Sequence, residues 1–180
     1  MTHILALDIA TRSGWARGLL TGNDPEHGSI RFGKAEASDN AIFAACLRWA
    51  QEFLAQPPKP TLIVIERMLA PQVVQGKTQA LTYERLAGLH GIIRAVAFEH
   101  GIYEITTATV QRVRAHFIGE SNAKSERAKA LVIQQCRKLG WNPVDDNAGD
   151  ALALFSYQCA VIEPRMALRV SPLFNRGVAL

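Results

Sequence analysis

Short apolar runs and longer segments of helical period alternate along the chain. Residues 3–9 carry Ile4, Leu5, Ala6, Leu7 and Ile9 and read as a buried strand. A tight turn over 9–14 leads to two further strands, at 15–20 and 29–35. Between those strands lie Gly22, Asn23, Asp24, Pro25 and Gly28, so the first three strands are predicted to form a meander. From Ser38 the period lengthens. Ile42, Phe43, Cys46, Leu47, Ala50, Phe53 and Leu54 fall on one helical stripe, with Ser38 or Asp39 as N-cap and Pro57, Pro58 and Pro60 beyond its end. The run 61–66 is β-branched and almost wholly apolar, as a central parallel strand should be.

Residues 69–78, with Pro71 and Gly76, read as a loop. A long helix is predicted over 79–99, its face marked by Leu81, Leu86, Leu89, Ile93 and Val96. A short strand at 102–106, a short helix at 109–117 and a polar loop at 118–123 follow. Asn122 is a candidate cap for a helix whose stripe is Ala128, Leu131, Val132, Cys136 and Leu139, ended by Gly140 and Pro143. The last helix is expected over 146–162. This order predicts one α/β domain over 1–162, a mixed five-stranded sheet flanked by helices. Residues 163–180 form a tail with Arg165, Arg169 and Arg176 among apolar residues; packing on the domain, covering a dimer contact and touching DNA all suit it.

Composition narrows the class. In 180 residues 48% are hydrophobic, enough for one substantial core and too many for a disordered chain. Lysine plus arginine exceed aspartate plus glutamate by 20 to 16, a modest basic excess that suits a polyanionic partner. Cys46, Cys136 and Cys159 are widely spaced within apolar patterns, so they read as core residues, not zinc ligands or disulfides. No apolar run approaches about 20 residues and no basic leader precedes the first strand. The expectation is a cytoplasmic protein with no membrane association.

Four carboxylates then stand out. Asp8 interrupts the first apolar strand, Glu66 ends the central one, and Asp146 and Asp150 open the last apolar helix. An unpaired charge in such surroundings is costly unless it is paired or metal-bound. Alternation places Asp8 on the face of Ile4 and Ala6 at the carboxyl end of its strand, where α/β sheets hold their ligands. Asp146 and Asp150 share a helix face, and like charges at that spacing repel by roughly 0.2–0.5 kcal/mol. Convergent carboxylates without His or Cys suit Mg2+. Two such ions, about 4 Å apart, can activate a water and stabilise the leaving oxygen in phosphodiester cleavage. Simpler roles exist too: Asp146 as an N-cap, and Glu66 as a partner of Arg67 or Arg85. Asp8 has no such explanation.

The segments Ile4-Leu5-Ala6-Leu7-Asp8-Ile9-Ala10-Thr11-Arg12-Ser13-Gly14, Ile63-Val64-Ile65-Glu66 and Asp146-Asn147-Ala148-Gly149-Asp150-Ala151-Leu152 resemble, in order and context, the RuvC Holliday-junction resolvases, particularly compact phage and prophage versions. The resemblance spans roughly residues 3–160. It implies an RNase H-like fold, a homodimer, and cleavage of four-way DNA junctions with Mg2+ or Mn2+, two ions per site. By position it implies Asp8, Glu66, Asp150 and Asp146 as metal ligands. Lys124 matches a basic residue near the scissile phosphate and Arg114 another, with Lys129 as the substitute for Lys124 if the alignment slips.

Two departures from the family pattern matter. The final acids are spaced Asp-x-x-x-Asp, not Asp-x-x-Asp, as in mitochondrial and some phage relatives. An aromatic residue that often follows the glutamate is absent; Leu69 is the candidate apolar wedge. Lys77, Arg85, Arg114, Lys124 and Lys129 are candidate DNA contacts, of a kind that reads backbone shape and not sequence. A sugar-kinase-like ATPase would need a glycine-rich turn where Ala10 and Thr11 stand. An RNase H or a transposase shares the acids, but the Asp pair on a helix and the lack of a target-binding domain disfavour the transposase. A broader branched-DNA nuclease and a junction binder that does not cleave remain as alternatives.

Overall fold

A computed structural model describes residues 1–68 and 77–166, the side chains of 77–79 excepted. Five strands form one sheet: β1 (His3–Asp8), β2 (Arg12–Leu19), β3 (Glu26–Arg31), β4 (Leu62–Glu66) and β5 (Glu104–Ala108). Their order across the sheet is β3-β2-β1-β4-β5. The meander pairs antiparallel, while β1–β4 and β4–β5 pair parallel. The mixed five-stranded α/β expectation is met. The parallel half follows from helical crossovers: α1 (Asp39–Ala55) returns the chain to β4 beside β1, and α2 (Lys77–Glu99) returns it to β5.

Alternation along the central strands sorts the core into two layers. Ile4, Ala6, Leu62 and Val64 face α5 (Asp146–Ile162), with Ala151, Leu152 and Phe155 of that helix against them. Leu5, Leu7, Ile63 and Ile65 face the other way, onto Ile42, Cys46 and Leu54 of α1 and Leu89, Ile93 and Val96 of α2. Both faces of β1 and β4 are therefore covered, which is why these runs are continuously apolar. Helices α3 (Val110–Ile118) and α4 (Ser125–Lys138) pack beside α5 through Val113, Phe117, Val132 and Cys136. All three cysteines are buried and free. No helix among the described residues is long and apolar enough to cross a membrane.

Element boundaries differ from the pattern in ways with physical causes. β2 begins at Arg12, not 15, because Ser13 and Gly14, which look like turn residues, pair with Ile30 and Ser29. The real turn is shorter and closed by Ser13, whose Oγ accepts from Ala10 N at 3.0 Å and donates to Ala10 O at 2.8 Å. β3 lies earlier than expected, Glu26–Arg31, and its first residue pairs across strands with Arg17 at 2.7 Å. Ser38 caps α1 as read, but α4 starts after Lys124 with no side-chain cap, not after Asn122. Leu47 and Leu81, counted in the apolar stripes, are exposed.

Candidate active site

Asp8 and Glu66 end adjacent parallel strands. Leu7 is level with Ile65, so the two carboxylates follow side by side at the sheet's carboxyl edge. Asp8 continues the face of Ile4 and Ala6, and Glu66 that of Leu62 and Val64, so both acids lie toward α5. On β2, Gly14 lies level with Asp8. The first turn of α5 rests directly on it: a Cβ at Gly14 would stand 1.8 Å from the Asn147 carbonyl oxygen. Only a glycine lets the helix start this close to the sheet. One turn later Asp150 is brought within electrostatic reach of Asp8 and Glu66.

A residue the sequence reading passed over secures that helix start. Asp145, not Asp146, is the N-cap: its backbone is extended and its Oδ1 accepts from Ala148 N at 2.9 Å. Its Oδ2 accepts from Ser29 Oγ and from Arg12 Nη2, each at 2.6 Å. Partial burial works against the charge, but Ser29, Ala148 N–H and Arg12 together hold the Asp145 carboxyl below its ordinary value. Asp is a preferred N-cap residue, so Asp145 directly before the helix was a signal present in the sequence; the adjacent Asp146 hid it.

Burial dominates the electrostatics of the inner acids. It pushes the Asp8 carboxyl well up, with Glu66, Asp150 and Asp146 adding repulsion. Glu66 rises to about 7, from burial and then the charge of Asp150, with Arg114 opposing. Asp150 rises to about 6 from burial, again opposed by Arg114. Asp146 behaves differently. It stands at the open rim, where a hydrogen bond from Lys129 at 2.7 Å holds its carboxyl below the ordinary value. The same bond raises the Lys129 ammonium. Of the two candidate lysines, Lys129 touches Asp146, while Lys124 is exposed at the head of α4.

Among the described residues, no three His, Cys, Asp or Glu side chains stand close enough together to hold an ion as they are. The donor chemistry still fits a hard divalent cation. The inner groups are oxygen donors only, half-buried, and their proton affinities are raised by burial and by neighbouring carboxylates. Such a set lacks positive charge, and a proton or a cation can supply it.

A pH dependence follows from these shifts. Glu66 ordinarily titrates at 4.5 but in the folded chain at about 7, so the folded state holds the proton more tightly across that window. The associated stability is present below about pH 4.5 and lost as pH rises through 7. In EDTA, wild-type stability is expected to fall between pH 5 and pH 8 by about 1–3 kcal/mol more than that of Glu66→Gln. Urea denaturation of both chains at the two pH values checks this; equal losses would mean that Glu66 is not destabilised by its site.

The other candidates are placed as follows. Arg114 points inward from α3; its Nε is buried with no hydrogen-bond partner among the described residues, and its charge acts on Glu66 and Asp150. Arg85 does not pair with Glu66 but with Asp39 of α1 at 2.6 Å, because α2 packs on α1. Arg67 turns to Thr107 Oγ1, at 3.2 Å from Nη2. Leu69 and the Lys77 side chain lie outside the described residues. Beside the acids runs a cavity of about 430 Å³ lined by Asp8, Glu66, Arg67, His90 and Gln111. His90 had no signal in the sequence, since its position on the inner side of α2 is a packing position.

No protein-family model matches the chain, and no curated protein matches it by sequence. Solved structures do. The chain is similar to the structure titled T. thermophilus RuvC in complex with Holliday junction substrate, with a TM-score of 0.66 and 16% identity over 92% of this chain and 96% of that one. A further Thermus thermophilus RuvC structure gives 0.61 and 15%, covering 94% of this chain and 98% of that one. The yeast mitochondrial Holliday junction resolvase Ydc2 gives 0.60 and 10%, covering 94% and 80%. At these identities the likeness speaks for the backbone, and over nearly its whole length this chain has the RNase H-like fold of the RuvC-type resolvases.

Proposed function

We propose that the chain is a metal-dependent, structure-selective DNA endonuclease of the RuvC-like, compact phage type, resolving four-way junctions by paired phosphodiester hydrolysis. The observation that carries this is the approach of Asp8, Glu66 and Asp150 to within electrostatic reach of one another at the carboxyl edge of a sheet whose fold matches a RuvC solved on a Holliday junction. Asp8, Glu66, Asp150 and, at the rim, Asp146 would hold Mg2+ or Mn2+. When bound, such an ion supplies Lewis-acid polarisation and a nucleophilic water near neutral pH.

The chain's own residues do the rest. The Asp145 cap and the Gly14 contact hold α5, and so Asp150, against the strands that carry Asp8 and Glu66. Lys129 offsets the charge of Asp146 at the rim. Lys124, exposed at the head of α4, would meet a phosphate and stabilise charge developing on it. Lys77, Arg85, Leu69 and Lys124 would contact the arms of the junction through backbone and shape. A homodimer would present two such sites to two strands, which paired cleavage requires.

Cleavage of labelled four-way junction, fork and linear duplex DNA in Mg2+, Mn2+ and EDTA tests the reading. Paired, metal-dependent nicks in the junction are expected. Equal cutting of forks would broaden the substrate to branched DNA in general, and tight junction binding with no cleavage in either metal would overturn the enzyme reading in favour of an architectural binder.

A further inference from the structure

Two consecutive acids at the head of α5 reach in different directions. Asp146 meets Lys129 of α4, while Asp145 turns to Ser29 of β3 and Arg12 of β2. On that second side Arg12 stands directly across the strands from Arg31. Both arginines continue the face of Gly14 and Ser29, which is the face toward α5. Gly14 is level with Asp8, so the pair, two residues further on, lies roughly 7 Å beyond Asp8 at the edge that carries the acids. Like charges directly opposite on paired strands repel. Asp145 offsets one of them, accepting from Arg12 Nη2 at 2.6 Å; its other partners are Ser29 and the Ala148 N–H. The Arg12 side chain is 48% exposed against 14% for Asp145, so its guanidinium keeps N–H donors on the solvent side. Arg31 is exposed and has no ion pair among the described residues.

We propose that Arg12 and Arg31 form a phosphate clamp on the β2–β3 side of the acids, a DNA contact separate from the lysines of α4. A repelling pair at an open edge gains from an anion between or above its members, and the guanidinium fork matches the oxygens of a phosphate. Arg12 is the fixed half, oriented by Asp145, and Arg31 the free half. Carboxylates by themselves repel a DNA backbone; cations on both flanks hold it across them. The inference rests on the nuclease reading above and extends it to a side of the site where no DNA contact was expected from the sequence.

Binding of a labelled four-way junction over a range of NaCl concentrations, in EDTA so that nothing is cut, tests it. Arg31→Gln is expected to bind about tenfold more weakly than wild type and to lower the slope of log affinity against log salt by about one. Arg48→Gln is the control: this exposed arginine lies on α1, across the sheet from α5, and its loss should leave affinity and slope unchanged. Junctions with one phosphate at a time replaced by a neutral methylphosphonate locate the contact. At one position the replacement should weaken wild type about tenfold and Arg31→Gln less than about twofold. Relief of the Arg12–Arg31 repulsion should leave Arg31→Gln melting at or above wild type. An unchanged slope, equal losses in both proteins at every position, or a lower melting temperature would sink the clamp and leave the nuclease reading intact. No junction binding by wild type, in EDTA or in Ca2+, would remove that reading, and this inference with it.

Discussion

Asp8→Asn is expected to lower junction cleavage in Mg2+ by at least about a thousandfold, with junction binding changed by less than about threefold. Asp8 is the acid most strongly disfavoured as an anion, by burial first and then by Glu66, Asp150 and Asp146. A chain that keeps such a group gains nothing from it in folding. The amide has the same shape and no charge, so Asp8→Asn should fold, and in EDTA near neutral pH it should melt above wild type. The two readouts together are diagnostic: lost activity with gained metal-free stability is the behaviour of a ligand, whereas lost activity with lost stability would mean a structural acid. Single-turnover cleavage of a labelled junction and a thermal melt suffice. Cleavage within about tenfold of wild type would remove Asp8 from the reaction.

Gly14→Ala is the second large effect, and it acts from a residue that carries no chemistry. The added Cβ would lie 1.8 Å from Asn147 O and 2.4 Å from Asn147 C, both backbone atoms of the first turn of α5. Neither can rotate away, so α5 must shift off the sheet. A loss of about 2–4 kcal/mol in stability is expected, typical of severe overpacking against rigid neighbours. The displaced helix takes Asp150 away from Asp8 and Glu66, so Mn2+ affinity should fall as well. Gly91→Ala is the matched control. Nothing lies within 4 Å of its Cβ position in α2, and alanine there should be neutral or stabilising by about 0.5–1 kcal/mol. Urea denaturation separates the two, and equal stabilities would show that the α5 contact gives way at little cost.

The readable part of this protein is the part in which local pattern and global fold agree. Asp8 and Glu66 could be singled out because each stands in a strand buried on both faces, where any charge is an anomaly. A meander followed by one helical crossover allows their strands to be neighbours, and β1 does lie beside β4. The four acids and the α/β order were thus available without coordinates. The strand ends were less so: Ser13 and Gly14 have turn chemistry but ladder positions, and Ser13 serves both by closing on Ala10 while pairing with Ile30.

What decided the rest was the packing of helices whose sequences say nothing about one another. Lys124 and Lys129 are equivalent as residues; the docking of α4 on α5 sets Lys129 against Asp146. Arg114 reads as one more surface cation until the packing of α3 on α5 brings its charge to bear on Glu66 and Asp150. Arg85 finds Asp39 because α2 lies on α1, 46 residues away in sequence. Asp145 takes the cap from Asp146 because its backbone is extended and its other oxygen is held by Ser29 and Arg12. Periodicity records how a residue relates to its own strand or helix, and it placed the acids. Partners between elements depend on distances fixed only when the layers close, and those placed the cations around them.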